Sequence, residues 1–172
     1  MATTTNESGK KYARRLLAHY INASASGEAA VYERIGKDLD EFNKDMNYDT
    51  DDTENIWGEV EVDISAAKPT AEVKTYYARE GSKLAERLQD IVDSRLEGDD
   101  LKTDVVEVHL WKTSSSSEGS TVYEAVKESA WIEVTSNGGD TKGVQIPYTI
   151  HYAGDPVKGT FDISTRTFTA AA

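Results

Sequence analysis

The sequence predicts a mainly β, α+β domain: a β-sandwich or half-barrel with one amphipathic helix flanking it. Three observations carry this expectation. Apolar residues alternate with polar ones at period two through much of the chain after residue 58. One segment, 82–97, instead repeats its apolar residues at helical spacing. The order is then strands, one helix and a β-meander, with neither an internal repeat nor a linker, which suits two packed layers. A chain of 172 residues is the size of one domain and long enough to bury a core. The expected domain is 12–169, between an N-terminal arm (1–11) and a short tail (170–172).

Along the chain, residues 1–11 are small and polar and read as a flexible arm. In 12–21, Arg14 and Arg15 stand among Leu16, Leu17, Tyr20 and Ile21; the pattern fits a helix or a strand, and periodicity does not decide. A turn at 22–27 precedes two short extended pieces, 31–35 and 39–46, around Gly36. Segment 43–57 holds Asp45, Asp49, Asp51, Asp52 and Glu54 with few apolar residues before Ile56 and Trp57, and reads as a long acidic loop. Structureless loops of about 12–15 residues are uncommon in compact domains and are often functional.

Val60, Val62 and Ile64 then alternate with Glu59, Glu61 and Asp63, as in a half-buried strand with one acidic face. Val73, Thr75 and Tyr77 alternate with Glu72, Lys74 and Tyr76 in the next strand. In the helix, Leu84, Leu88, Ile91, Val92 and Leu96 share a face, while Glu86, Arg87, Asp90 and Arg95 are assigned outside it. Ser82 suits the N-cap, and Gly98 suits the left-handed position beyond the C-terminus. Val106, Val108 and Leu110 form one face of strand 103–111, opposite Glu107, His109 and Trp111. A Ser/Gly-rich mobile hairpin is expected at 113–121. Strands 123–134 and 144–152 flank a glycine turn at 136–140. Val144, Ile146, Tyr148, Ile150 and Tyr152 share a face, and a turn at 153–156 leads into a last strand, 157–168.

Composition narrows the function. The formal net charge is −12, and such a surface repels phosphate backbones and anionic membranes. No apolar run reaches the ~20 residues of a membrane-spanning helix, and the N-terminus does not read as a secretory signal. The absence of cysteine removes disulfides and thiolate chemistry and fits a reducing cytoplasm.

Candidate chemistry is sparse. His19, His109 and His151 are widely separated in sequence, although His109 and His151 are placed on outward faces of adjacent strands. The run Asp49, Asp51, Asp52, Glu54 resembles the start of a calcium loop. It has Glu54 where the turn needs glycine and Val60 where a bidentate glutamate is required. Glu59, Glu61 and Asp63 would project about 7 Å apart from one strand face, a spacing usable by a glycosidase, but no sugar cleft accompanies them. Trp57, Trp111 and Trp131 suit a core or interface more than glycan stacking. No catalytic residue, cofactor or metal site is therefore expected.

A set of longer segments adds a resemblance. Ile35-Gly-Lys-Asp-Leu-Asp-Glu-Phe-Asn43, Asn55-Ile-Trp-Gly58 and Tyr76-Tyr-Ala78 are followed by Leu84-Ala-Glu-Arg-Leu-Gln-Asp-Ile-Val-Asp-Ser-Arg-Leu-Glu-Gly-Asp99. Thr103-Asp-Val-Val-Glu-Val-His-Leu110, Trp131-Ile-Glu-Val-Thr-Ser-Asn-Gly-Gly-Asp140, Gln145-Ile-Pro-Tyr-Thr-Ile-His-Tyr152 and Lys158-Gly-Thr-Phe-Asp-Ile163 complete it. Together these resemble consecutive landmarks of the major tail (tail-tube) proteins of long-tailed phages of Gram-positive bacteria. The resemblance implies a non-enzymatic virion protein with a phage tail-tube-like fold, made in the host cytoplasm and located in the virion tail. It implies self-assembly into hexameric rings stacked as a tube, with a tape measure protein and a tail terminator as further partners. It implies no membrane partner, and non-adhesive passage of double-stranded DNA. On this view Asp49, Asp51, Asp52, Glu54, Ile56 and Trp57 belong to a loop reaching a neighbouring subunit or ring. Glu59, Glu61 and Asp63 are the carboxylates that a regular strand would present in a row to the lumen. The alternative reading is a β-sandwich carbohydrate-binding or adhesion module of a virion or cell surface.

Overall fold

Period-two alternation becomes an antiparallel sheet in the computed structural model, which describes residues 9–114 and 119–172. Eight strands form it: β1 (Leu17–Asn22), β2 (Tyr32–Arg34), β3 (Lys44–Asp45), β6 (Thr70–Val73), β7 (Lys102–Thr113), β8 (Val122–Val134), β11 (Tyr148–Asp162) and β12 (Thr167–Ala170). Their order is β2-β1-β7-β8-β11-β6-β3, with β12 also paired to β11. Two separate hairpins, β4 (Thr50–Glu54) with β5 (Val60–Ile64) and β9 (Gly138–Asp140) with β10 (Gly143–Gln145), stand off this sheet. The single α-helix among the described residues, α1, is Lys83–Ser94. The mainly β, sandwich-like class with one flanking helix is therefore the observed one.

Because successive strand residues face opposite ways, the sheet builds two cores. Ile21, Val105, Ala130, Ile132, Ile150 and Tyr152 point to one face, where Leu84, Leu88 and Ile91 of α1 cover them. Tyr20, Val106, Val108, Ala125 and Phe161 point to the other face. No helix covers this second set; the sheet curls to enclose it. The Tyr20 ring of β1 lies 4.6 Å from that of Phe161 on β11, although β7 and β8 separate these strands in the sheet. Tyr32 meets Phe161 edge-on at 5.6 Å, and Arg166 donates to the Tyr32 carbonyl at 3.3 Å. This is the half-barrel closure.

The undecided segment 12–21 resolves into a short 3-10 turn, Arg14–Leu16, followed by strand β1. Ser82 caps α1 by accepting from the Ala85 amide, as expected. Glu33 of β2 adds a second cap, accepting from Lys83 N at 2.8 Å and Leu84 N at 3.1 Å, where a carboxylate suits the helix dipole.

Several expectations are corrected. The helix ends at Ser94, and Arg95 (φ +48°) takes the left-handed capping position; Gly98 is left-handed as expected (φ +59°), but three residues further on, where it opens a 3-10 turn. Arg87, assigned to the polar side, is buried on the core side and donates to Asn22 O at 3.1 Å and Lys102 O at 2.7 Å. Burial pushes its pKa down from the usual value. The turn at 153–156 is a bulge inside one long strand, because β11 continues through it against β8. The turn assigned to 136–140 begins later, between Asp140 and Gly143. There a Cβ on Gly139 would sit 2.1 Å from the Gly143 carbonyl oxygen, so the chain needs glycine. Val144 is exposed, unlike Ile146, Tyr148, Ile150 and Tyr152. Ala170, assigned to the tail, pairs with Gly159 in β12. Residues 1–8 of the arm and 115–118 of the Ser/Gly-rich segment lie outside the described residues.

Arg87→Ala removes a buried donor from Lys102 O and the alkyl packing beside it. It is expected to lower stability by about 2–3 kcal/mol, read as a lower urea midpoint at unchanged slope.

Candidate functional site

Segment 43–57 is not a loop. Its first residues form β3, and its remainder joins the following segment as a two-stranded ribbon, β4–β5. Asp is a poor strand former, so local propensity does not make this ribbon. Its tip does. Asn55 Oδ1 accepts from Trp57 N at 3.0 Å and Glu59 N at 3.1 Å, and Gly58, at φ +78°, donates to Asn55 O at 2.9 Å. Asn55 Nδ2 also donates to Glu59 Oε2 at 3.0 Å. At the base, Ser65 N donates to Asp49 O at 2.8 Å and Lys68 pairs with the Asp49 carboxylate at 2.6 Å.

The register sorts the side chains. Thr50 pairs with Ile64, Asp52 with Val62 and Glu54 with Val60, so these six share one face. Asp51 pairs with Asp63 and Thr53 with Glu61, and Glu59 continues this second face beside Asn55. One face is therefore an apolar row flanked by two carboxylates, and the other is almost wholly acidic. The two residue groups that sequence reasoning kept apart, the loop set and the strand set, are the two strands and tip of one hairpin.

The expected half-burial of β5 is corrected as well. Val60, Val62 and Ile64 are 68%, 59% and 60% exposed, and at the tip Ile56 and Trp57 are 97% and 80% exposed. The ribbon lies off the main sheet, and none of the described residues covers its apolar row. Contiguous exposed apolar surface of this kind marks an interaction site.

Glu59, Glu61 and Asp63 stand on this open ribbon and not in a cleft, so they lack the enclosure that paired-carboxylate hydrolysis needs. Two tryptophans considered for glycan stacking are already engaged. Trp111 stacks on Tyr12 and on His109, each at 4.8 Å, and Lys102 Nζ lies 5.6 Å from the centre of the Trp131 ring. Among the described residues no group of three or more His, Asp or Glu converges to hold a metal ion, and no helix is long and apolar enough to cross a membrane.

Sequence reasoning missed a polar cluster on the helix-covered face. Glu107 Oε2 lies 3.2 Å from His19 Nε2 and its Oε1 lies 3.1 Å from His109 Nε2. A carboxylate only accepts, so both ring nitrogens facing it carry the proton. His19 is buried against Phe42, and nearby Lys44 pairs with Glu128 and lies over the Tyr152 ring. The Tyr152 hydroxyl is buried without a partner among the described residues. The hydrogen bond from His19 holds the Glu107 carboxyl down at about 2, helped by His109 and opposed by burial. His109 and His151 are not on adjacent strands, since β8 separates β7 from β11; His151 instead pairs with Glu133 at 2.5 Å. The available signal was the alternation His19, Ile21 and Val105, Glu107, His109, but the pairing of β1 with β7 was needed to join them.

No protein-family model matches the chain, and no curated protein does. Solved structures that share its shape include the sheath/tube terminator of an extracellular contractile injection system (PVC) in its extended state. That match has 13% identity and a TM-score of 0.49, over 88% of this chain and 99% of the other. The tube-terminating cap of the anti-feeding prophage overlaps at 14% identity and a TM-score of 0.48, over 99% and 100%. A chain of the PVC sheath–tube complex overlaps at 14% identity and a TM-score of 0.46, over 81% and 86%. Likeness at this level describes a partial overlap of shape and carries no assignment of role.

Glu107 binds its proton more weakly folded than unfolded. Its stabilising contribution is thus fully present above its ordinary value of 4.5 and lost as pH falls through about 2. Glu107→Gln is expected to cost about 1–3 kcal/mol at pH 7 and to flatten the stability loss between those two pH values, measured by denaturant titration at each pH.

Proposed function

We propose that this chain is a non-enzymatic structural subunit that assembles with copies of itself, forming the stacked hexameric rings of a phage-type tail tube that conducts double-stranded DNA. The observation that carries the reading is the exposed apolar surface of hairpin β4–β5, from Ile56 and Trp57 along Val60, Val62 and Ile64. Fully burying one such side chain gains about 1.5–3 kcal/mol. Five on one ribbon give a strong drive to associate, which a lone chain leaves unused. The resemblance of the segments from Ile35 to Ile163 supports a tail-tube identity for the assembly, with a tape measure protein and a tail terminator as its other partners and the virion tail as its place.

Of the inter-subunit or inter-ring set Asp49, Asp51, Asp52, Glu54, Ile56 and Trp57, the register leaves Asp52 and Glu54 beside the apolar row and puts Asp51 opposite Asp63 on the acidic face. That face, with Glu59, Glu61 and Asp63, then faces the lumen. A basic lumen would hold DNA by counterion release, whereas an acidic one lets it slide. In support, that face has no apolar residue to bury against a neighbour.

Electron microscopy of the concentrated purified protein is expected to show rings or hollow tubes, and a chain that stays monomeric at high concentration overturns the proposal. Ile56→Ser with Trp57→Ser touches only exposed groups, so stability should stay within about 0.5 kcal/mol while tube yield falls at least about tenfold. Changing Glu59, Glu61 and Asp63 together to Lys is expected to leave tubes intact and impair genome delivery by particles carrying them. Normal delivery would remove these residues from the lumen.

A further inference from the structure

We infer that the hairpin of one copy docks its Ile56–Trp57 tip and apolar face into a cation-rimmed groove on a second copy, a contact that rests on the self-assembly proposed above and specifies its other half. The groove, of about 460 Å³, lies beside the start of β1 and the end of β2. Leu17, Ile35, Leu39 and Phe42 supply its apolar lining; Arg14, Arg15, Arg34 and Lys37 stand around it as exposed cations. Asp40 and Glu41 also border it, so four cations meet two carboxylates in a chain whose overall charge is −12.

None of these four cations forms an ion pair among the described residues. The lip is nevertheless held in place. Arg14 donates to Leu17 O at 2.6 Å and Phe42 O at 3.0 Å, and Arg34 donates to Arg15 O at 3.3 Å. The hairpin is the complementary object. Its row of Val60, Val62 and Ile64 is bordered on the same face by Asp52 and Glu54, which are likewise exposed and outside every ion pair described, and its tip carries the exposed Ile56 and Trp57. An apolar wedge with an acidic border fits an apolar groove with a basic border, and charge complementarity of this kind fixes register as well as attraction. A cavity of this volume falls within the range that encloses groups larger than one indole.

Exposure says why the occupant is a second copy. The groove lies beside β1, β2 and the segment 39–42 that leads into β3, and in the single chain the tip residues Ile56 and Trp57 are almost fully exposed, so the hairpin does not occupy the groove of its own chain. Hairpin and groove are different surfaces, so the contact is heterologous. When each copy offers its hairpin to one neighbour and its groove to the next, the contact generates a closed ring or an open filament; reciprocal exchange between two copies would instead stop at a pair, an outcome that a ladder of larger oligomers excludes. The acidic face of the hairpin takes no part and stays free for the lumen.

The chain contains no cysteine, which makes a disulfide test clean. Thr53→Cys and Asp40→Cys, both at exposed positions and neither an apolar anchor, are combined in the full chain and mildly oxidised at assembling concentration. A ladder of disulfide-linked oligomers is expected only when both cysteines are present. Arg15→Glu with Lys37→Glu in that background should slow the linkage by at least about tenfold. Thr53→Cys with Glu41→Cys serves as a second pair, and unchanged urea midpoints establish that each variant is folded. An intrachain disulfide would mean that the hairpin folds onto its own groove, and rapid linkage by Thr53→Cys alone would mean a hairpin-to-hairpin pair. Either result overturns the inference. Electron microscopy of the same samples separates the two proposals. Rings or tubes without cross-linking overturn this contact and leave the tube reading standing; a ladder without rings does the reverse; a monomer with neither overturns both.

Discussion

The pairing of β8 with β11 joins the two cores, and most of the remaining structure depends on it. From Tyr148 opposite Val134 to Asp162 opposite Val122, the two strands stay together across a bulge between Ala153 and Val157. Before the bulge, Ile150 and Tyr152 pack into the core that α1 covers; beyond it, Phe161 packs into the core that the curled sheet encloses. A bulge raises local twist and bends the strand that carries it. Here it lies where the sheet passes from a surface supported by a helix to one closed by its own curvature. Pro156, which lacks an amide donor, sits within the bulge where the ladder asks for none. β11 also pairs with β6 along its first part and β12 along its last, so disturbing it would loosen both cores.

The parts of this arrangement that were legible in the sequence are those decided locally. The helix announced itself through Leu84, Leu88 and Ile91 and its Ser82 cap, and the long meander through its alternation. Arg87 was misplaced because charge was given more weight than spacing: it stands three residues after Leu84 and four before Ile91, on the apolar side. The bulge was misread because Gly154-Asp-Pro156 carries ordinary turn chemistry, and only pairing with an intact β8 carries the strand through it. The hairpin was misread for a similar reason. Its aspartates argue against a strand, and the ribbon is imposed by the Asn55 tip and the register. His19 and Glu107 are 88 positions apart, so no window along the sequence contains their contact.

The hairpin is separable from the fold that carries it. Neither core uses a residue of β4 or β5, and among the described residues the ribbon is tied near its base through Met46, Asn47, Asp49, Ser65 and Lys68. An isolated two-stranded ribbon is marginally stable in water, and this one places Asp51 directly across from Asp63. The chain thus keeps five exposed apolar side chains and a repulsive carboxylate pair on an element that adds no residue to either core. Such a combination goes against the rules that keep single domains folded and soluble, and departures of this kind are expected at functional sites.

Charge then decides what kind of association the proposed subunit permits. Copies of a −12 chain repel one another at long range, but at physiological ionic strength screening acts over about 8 Å. Repulsion between whole subunits is spread over distances beyond that length and is largely suppressed. Contacts made within a few ångströms, such as an indole in an apolar groove or a carboxylate against an unpaired arginine, are screened far less. The balance favours arrangements in which the apolar face of the hairpin and the four cations of the groove are satisfied together. With 31 acidic residues against 19 basic ones, approaches that set carboxylates against carboxylates are penalised relative to these. On this argument the acidity bears on the geometry of self-assembly: it weighs against docking modes that leave like charges in close contact.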